Sequence, residues 1–297
     1  MMWQYVANGI ILGATLALGA IGLTLTYNIL RFANFAHGEF LTFGAYFALV
    51  FVMLFGGGAA IGPLTFGWRF LLAIAVAGVL TAALALLLDY LLFRLLRKSD
   101  VAVTLVIASF GASLLLRSVV AFIWGPQPEY YSHNIAIARE IFPGVRVTMD
   151  EVFVVVLTVL LMVALHLFLT RSRLGKAMRA VSDNPALAGI TGINVQGVIR
   201  WTWIVGGSLA AVAGVLFGLT VQISPEMGFN LILPMFAAAI LGGVGSIYGA
   251  VLGGLLIGLA ESMSVPFIGA AYMPAVGFGL MFLILLLYPK GILGERS

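Results

Sequence analysis

The sequence predicts an all-α, polytopic membrane protein with about eight hydrophobic segments, one of them a broken or re-entrant helix pair. Of its 297 residues, 62% are hydrophobic and only 9% are charged, and the mean hydropathy is +1.15. Because soluble domains carry about 25% charged residues, this composition excludes a soluble fold. A spanning helix takes about 20 apolar residues, so eight spans leave only short loops. We therefore expect residues 1–297 to form a single transmembrane domain.

Nearly continuous apolar runs define the eight segments in chain order. The first is expected to remain as a helix, because residues 1–8 contain no Lys or Arg and do not look like the start of a cleavable signal peptide. The seventh is too long for one plain span. The runs are 9–30, 35–55, 69–93, 102–123, 152–170, 199–222, 231–262 and 272–288.

The basic residues predict which loops lie in the cytoplasm. Of 15 Lys and Arg, ten fall in three places, and such loops are cytoplasmic by the positive-inside rule. Loops 56–68 and 125–151 are then expected on the outer side, and loop 171–200 and the C-terminus on the inner side. The ten residues are Arg94, Arg97, Lys98, Arg171, Arg173, Lys176, Arg179, Arg200, Lys290 and Arg296.

Segment 231–262 is consistent with this topology only if it enters and leaves the membrane on the same face. Segment 199–222 ends outside. The last segment must begin outside, because it has to bring Lys290 into the cytoplasm. The glycine-rich sequence 242–246, with Gly242, Gly243 and Gly245, is the natural hinge for two tilted half-helices. Glycine pairs elsewhere, such as Gly9 and Gly13, are typical of close helix contacts.

Several absences narrow the function. There is no cysteine, and His37, His133 and His166 are far apart in sequence, so we expect no metal site and no cofactor, with ordinary packing or hydrogen bonding for His133 and His166. No catalytic residue is predicted, since the zinc-protease and serine-hydrolase motifs are missing. The P-loop motif of ATPases is missing too. The net charge of +4 is attributed to orientation of the loops and not to nucleic-acid binding.

The stretch 34–40, Asn-Phe-Ala-His-Gly-Glu-Phe, interrupts two apolar runs with three polar side chains. Ionisable groups at membrane depth tend to face a cavity, a bundle interior or a partner. Alternatively, His37 and Glu39 could lie at the cytoplasmic interface, where Arg31 could neutralise Glu39. Glu261 carries the same two alternatives, a role in a pathway or a position in the outer headgroup layer.

The loop 171–200 has the features of a docking element. Asp183 or Asn184 can cap a short helix that begins at Pro185 and ends at Gly189 or Gly192. Apolar residues on this helix have no reason to face water unless they contact a partner or the membrane surface. These residues are Ala186, Leu187, Ile190 and Ile193.

Three motifs in the same order resemble those of the LivH-type permease subunit of ABC importers for branched-chain amino acids. They are the stretch 34–40, the loop sequence 175–188 and the glycine-rich sequence 239–254. The resemblance covers essentially the whole chain. It implies a LivM-like second permease, two ATPase subunits and an extracytoplasmic substrate-binding protein, in a bacterial-type inner membrane. It also implies that 175–193 is the loop that couples to the ATPase.

Two classes of function remain open at this point. One is a transporter subunit driven by a separate ATPase, for branched-chain or other neutral amino acids, urea or amides. The other is a self-sufficient channel or secondary carrier, which would gain nothing from a capped cytoplasmic helix. An intramembrane enzyme is disfavoured, since no catalytic pair is present.

The translocation path is predicted between stretch 34–42 and the glycine hinge, near the midplane of the membrane. Unwound backbone there could offer N–H and C=O groups to a zwitterionic amino acid. The aromatic residues Phe35, Phe40 and Phe236 would line it without binding tightly. The residues assigned to the path are Asn34, His37, Glu39, Thr42, Met235, Gly242, Gly243 and Gly245.

Overall fold

A computed structural model describes residues 2–97, 102–132, 136–288 and 291–293. Lys98, His133, Lys290 and Arg296 lie outside these described residues. The helices are α1 (Met2–Leu30), α2 (His37–Phe55), α3 (Trp68–Leu88), α4 (Arg94–Leu96), α5 (Ala102–Trp124), α6 (Met149–Arg171), α7 (Arg173–Asp183), α8 (Pro185–Ile190), α9 (Val195–Thr220), α10 (Met227–Gly242), α11 (Ile247–Ile268) and α12 (Met273–Leu287). A π-helical turn, Asp89–Phe93, joins α3 to α4, and a 3₁₀ turn, Ala270–Tyr272, precedes α12. The antiparallel strands β1 (Arg139–Phe142) and β2 (Val145–Val147) form a hairpin.

Within the described residues, eight helical stretches are long and apolar enough to cross a membrane. The all-α, polytopic membrane fold predicted from composition is therefore confirmed. The eight are Met2–Leu30, His37–Phe55, Trp68–Leu96, Val103–Trp124, Met149–Arg171, Val195–Thr220, Ile247–Ile268 and Ala270–Leu287.

Helix α1 lies at the centre of the bundle and is buried along most of its length. It packs antiparallel to α11 through glycines, as the spacing predicts. A Cβ atom added to Gly258 would lie 2.4 Å from the Cα atom of Gly13, so the two backbones touch directly. Such close approach maximises van der Waals contact where lipid offers no hydrophobic driving force between helices.

Contacts between distant segments sort the loops into two ends of the bundle. At one end, Asp150 accepts a 3.0 Å hydrogen bond from the Thr65 amide, and Gln4 pairs with the Arg146 backbone. At the other end, Arg31 donates to the Ser182 carbonyl, and the Phe32 and Phe93 rings lie 5.3 Å apart. The second end therefore carries the basic loops near Arg94 and 171–200, the grouping that the predicted topology requires.

The segment predicted as 231–262 is broken at the expected glycines, into α10 and α11. Two details of the prediction are wrong. Only α10, with 16 residues, is a half-helix, because α11 has 22 residues and is long enough to span. The hinge lies at the bundle end and not near the midplane, because the Asn28 side chain, two residues before the end of α1, donates to the Gly245 carbonyl at 2.6 Å.

Candidate functional site

The polar stretch begins where the chain turns back into the bundle. Arg31, directly after α1, has a left-handed φ of 57°, and residues 31–36 reverse the direction of the chain. At the first residue of α2, the Nε2 atom of His37 lies 3.1 Å from the carbonyl oxygen of Gly19. Gly19 precedes the end of α1 by about 16 Å, at 1.5 Å per residue. Helix α2 therefore starts inside the bundle, well below the surface of that end.

His37 and Glu39 of the stretch, and Thr42 just after it, are each bonded to a neighbouring helix. The Ser113 hydroxyl on α5 donates to Glu39 Oε1 at 3.0 Å, and the Gly228 amide on α10 donates to Thr42 Oγ1 at 3.0 Å. Asn34 Oδ1 accepts from the Ala36 amide and so shapes the turn before α2. The polar residues of this region that are at most 1% exposed are Asn34, His37, Glu39 and Thr42. Together they join α2 to α1, α5 and α10.

The interfacial alternative for His37 and Glu39 is wrong. Both residues are 0% exposed, and Arg31 points to the Ser182 carbonyl instead of neutralising Glu39. Some hydrogen-bonding capacity is nevertheless unused. Among the described residues, Asn34 Nδ2, His37 Nδ1 and Glu39 Oε2 are buried without a hydrogen-bond partner. A buried polar atom without a hydrogen-bond partner costs free energy, unless another conformation of the protein or a ligand supplies the partner.

The structure does not bring the polar stretch and the glycine hinge together. Helix α10 starts beside Thr42 and ends at Gly242, so the two regions are about 20 Å apart along its axis. Met235, between them, is 0% exposed, and a void beside it and Leu41 is too narrow to admit water. A substrate could touch these residues only after α10 separated from α2.

The hinge itself is held by backbone geometry. Gly243 and Gly245 have φ values of 108° and 98°, which favour glycine over other residues. A Cβ atom on Gly242 would lie 1.9 Å from the Gly249 carbonyl oxygen, so α10 and α11 are in backbone contact at the turn. The Ser246 hydroxyl then caps α11 by accepting from the Gly249 amide at 3.0 Å.

The predicted short helix in loop 171–200 is α8. Asn184, and not Asp183, caps it, because Asn184 Oδ1 accepts from the Leu187 amide at 2.9 Å while Asp183 ends α7. Gly189 lies inside the helix, and Gly192 follows it with a φ of 87°. Leu187 is 55% exposed and Ile190 83% exposed. Ile193, assigned to the same exposed face, is instead partly buried and packs against the core.

Helix α7 fixes the position of α8. Its buried residues Met178 and Val181 face the bundle, whereas Arg173, Lys176 and Arg179 are exposed. A Cβ atom on Gly175 would lie 2.5 Å from the backbone of Leu169, so the turn from α6 into α7 is tightly packed. The exposed apolar residues of α8 are thus held on a rigid support.

A family model described as the permease component of the branched-chain amino acid transport system matches residues 5–287. The chain belongs to this permease family. It is 37% identical over 297 residues to the high-affinity branched-chain amino acid transport system permease protein BraD of Pseudomonas aeruginosa, covering 98% of this chain and 95% of that protein. It is 35% identical over 300 residues to the permease protein LivH of Escherichia coli K12, with the same coverage.

More distant likeness extends the comparison. A probable LivH permease of Methanocaldococcus jannaschii is 32% identical over 302 residues, covering 97% of this chain and 91% of that protein. Among solved structures, PsaBC from Streptococcus pneumoniae in complex with Fab matches with a TM-score of 0.50 and 13% identity, over 97% of this chain and 93% of that one. This last likeness concerns the fold alone. The family consists of transport permeases and not enzymes.

Sequence reasoning missed three charged residues of this permease. Arg117 lies within the apolar helix α5, and its guanidinium donates to the carboxylate of Glu226, just before α10. Asp89 is buried at the end of α3 and bonds to Arg97. A lone charge inside an apolar run is the signal that could have found Arg117, as it found Glu39. Glu261, the other residue singled out, is 5% exposed and packs against Gly277 on α12, so its side chain faces the bundle.

The permease also has a cavity of about 700 Å³ that is lined by residues other than those of the polar stretch. It lies between α1, α6, α7 and α11, and most of its lining is apolar. Among its lining residues, the Tyr248 hydroxyl and the Nδ1 atom of His166 are 2.5 Å apart. His166 thus makes a hydrogen bond, as expected from sequence.

Proposed function

We propose that this chain is a membrane-spanning subunit of an ATP-driven importer of branched-chain amino acids. In this proposal it assembles as a single transmembrane domain with a second, LivM-like permease, two ATPase subunits and an extracytoplasmic binding protein. The family and the near full-length likeness to BraD and LivH support the substrate class. The sequence has no P-loop, so hydrolysis requires separate subunits.

The exposed apolar face of α8 is the observation that carries this proposal. Leu187 and Ile190 project from a capped helix on a rigid, basic support, and large exposed apolar side chains of this kind mark contact surfaces. A groove on an ATPase subunit would bury them, at about 1.5 to 3 kcal/mol for each side chain. Residues 183–192, with Asp183, Asn184, Pro185, Gly189 and Gly192 shaping the helix, would then transmit ATPase closure to the bundle.

The substitution Leu187→Asp tests this coupling in the reconstituted full complex. It places a charge in the proposed apolar contact, so ATP hydrolysis should continue while uptake is lost. Gln196→Asp adds the same charge at an exposed position near the start of α9 and serves as the matched control. Unchanged uptake together with unchanged stimulation of the ATPase in Leu187→Asp would refute the coupling role.

The proposed orientation places α8 and the C-terminus in the cytoplasm and loop 125–151 outside. Because the chain has no cysteine, single introduced cysteines report on accessibility without background. An impermeant maleimide applied to intact cells should label Ile137→Cys, which is 79% exposed, and should not label Gln196→Cys until the membrane is opened. The reverse pattern would invert the topology.

We propose that the residues assigned to the translocation path act by fixing the positions of the helices that line it. Asn34 shapes the turn before α2, and His37, Glu39 and Thr42 hold α2 against three other helices. Met235 and the glycines of the hinge hold α10. Their burial supports a path that runs beside α2, α5 and α10, at a face completed by the second permease. Movement of α10 would open or close that path.

A further inference from the structure

Helix α5 carries one charged residue, Arg117, in an otherwise uncharged sequence of 23 residues. It lies about 10 Å from the end of the helix at Trp124, at 1.5 Å per residue. Its guanidinium donates to Glu226 and also lies 5.0 Å from the centre of the Phe229 ring. The Arg117 side chain is 29% exposed and that of Glu226 is 60% exposed, so the ion pair is open on the surface of this chain.

The depth of Glu226 follows from the packing of α10. The first turn of α10 is bonded to Thr42 on α2, and its last turn reaches the bundle end at the hinge. With 16 residues α10 is about 24 Å long, less than the hydrocarbon core of about 30 Å. Its start, and Glu226 with it, therefore lies within the thickness of the membrane.

An open ion pair at this depth cannot face lipid without a large cost. Charged residues in transmembrane segments face a bundle interior, a partner or a water-filled pathway. The face of α5 that bears Arg117 must therefore be turned toward one of these. It adjoins the polar stretch, because Ser113, one helical turn earlier on α5, bonds to Glu39.

The pair lies in a cavity of about 310 Å³ with mixed chemistry. Its charged wall consists of Arg117 and Glu226, and its other residues are mostly apolar: Leu114, Ser118, Ala121, Pro126 and Pro225. A free amino acid with an aliphatic side chain has the complementary set of groups. Its carboxylate matches the guanidinium fork, its ammonium matches the carboxylate, and its side chain matches the apolar wall.

We propose that Arg117 and Glu226 form a transit site for the zwitterionic head of the amino acid, in which the two side chains exchange their mutual bond for bonds to the substrate. The proposal deepens the proposed transport function and depends on it. Because the resting pair competes with the substrate, the site releases its ligand readily, as a pathway requires. The site selects for a free zwitterion, and the cavity wall selects for an aliphatic side chain.

The test uses the complete complex in proteoliposomes, with loaded binding protein and leucine as the probe. Arg117→Gln and Glu226→Gln should each lower leucine uptake about tenfold, because each removes a charge-assisted bond to the substrate. Stimulation of the ATPase by the loaded binding protein should persist. Arg139→Gln, which removes an exposed arginine from strand β1, is the matched control and should transport normally.

A charge reversal separates a transit site from a structural pair. In Arg117→Glu with Glu226→Arg the ion pair is retained, but its charges are exchanged relative to the apolar wall, so uptake should stay low. Restoration of uptake by this reversal would overturn the proposal in favour of a structural or subunit contact. If the glutamine variants fail to assemble, Arg117→Lys decides, since it keeps the charge and loses the fork. Normal uptake in Arg117→Lys would then overturn the proposal.

The outcomes also separate this site from the proposed function as a whole. Uptake at the normal rate in Arg117→Gln, combined with uncoupling in Leu187→Asp, would remove the transit site and leave the importer function in place. Normal uptake in both variants would remove the transit site and the coupling role of α8, whereas the absence of leucine uptake in the unsubstituted complex would remove the importer function itself.

Discussion

The two ion pairs described in this chain have the same chemistry but differ in how far their side chains are exposed. Arg97 bonds to Asp89 at 2.5 Å, and the Trp203 indole N–H donates to the same carboxylate oxygen at 2.8 Å. The side chains of Arg97 and Asp89 are 17% and 8% exposed, against 29% and 60% for Arg117 and Glu226. The first pair is therefore enclosed by a third helix, whereas the second is open.

The difference shows how to separate structural from functional charges in a membrane. Around Asp89, the Trp203 indole also stacks on Phe93 at an interplanar angle of 11°, so the carboxylate holds α3, the π-helical turn and α9 together. The Glu226 side chain, by contrast, is 60% exposed among the described residues. Enclosure with a third partner indicates a structural role, and an open pair at membrane depth indicates contact with a substrate or subunit.

The largest effect on stability is expected at the enclosed pair. Asp89→Asn leaves the Arg97 charge without its partner, which costs about 3 kcal/mol for a buried pair. Thermal unfolding of the purified complex in detergent should therefore shift clearly downward. Uptake per folded complex should stay near that of the unsubstituted protein. If Asp89→Asn instead lowered uptake without lowering the unfolding temperature, both pairs would have the same role and the distinction between them would be wrong.

A smaller effect is expected where α2 meets α10, at the wall of the proposed path. A Cβ atom on Gly38 would lie 2.5 Å from the Gly228 carbonyl oxygen, so Gly38→Ala forces the helices apart at a cost of about 1 to 3 kcal/mol. At Gly111 on α5, apart from the backbone of the helix itself and the adjacent residues, no atom of the described residues lies within 4 Å of such a Cβ. Gly111→Ala, the matched control, should be neutral or slightly stabilising. Equal melting temperatures for the two variants would contradict the tight contact.

The smallest effect on stability is expected at Glu39, which is buried like Asp89 but belongs to neither of the two ion pairs. Glutamine keeps an oxygen that can accept from the Ser113 hydroxyl, so Glu39→Gln should cost about 1 kcal/mol or less. Uptake should fall much less than in Arg117→Gln when both are measured per folded complex. A larger loss in Glu39→Gln would place the substrate at the α2 side of the bundle.

Hydropathy predicted the spans well and their ends poorly. Helix α1 starts at Met2 and not at residue 9, because Gln4 and Asn8 bond to each other on the helix surface. Helix α6 starts at Met149 because Thr148 and Glu151 form a capping box. Polar caps and paired polar side chains extend helices beyond their apolar runs, and an average over hydropathy cannot see them.

Other features had local signals that hydropathy does not weigh. The hairpin of β1 and β2 turns at Pro143 and Gly144, a dipeptide typical of turns, in the loop that was predicted only as an outer loop. The hinge and the capped helix α8 were predictable because glycine, proline and asparagine have specific backbone roles. The partners of His37 and Glu39 were not, since residues far apart in sequence supply them.

The end of α10 depends on residues made much later in synthesis. The amides of Ile292 and Leu293 donate to the carbonyls of Leu241 and Gly242, both at 2.9 Å. At about 5 to 20 residues per second, a ribosome needs several seconds to make the roughly 50 residues between them. Until then these carbonyls must be satisfied by water or by the insertion machinery. Completion of the hinge is thus a late step of biogenesis. A tag fused directly after residue 288, in place of the residues that follow, would leave the Leu241 and Gly242 carbonyls without these two amide donors.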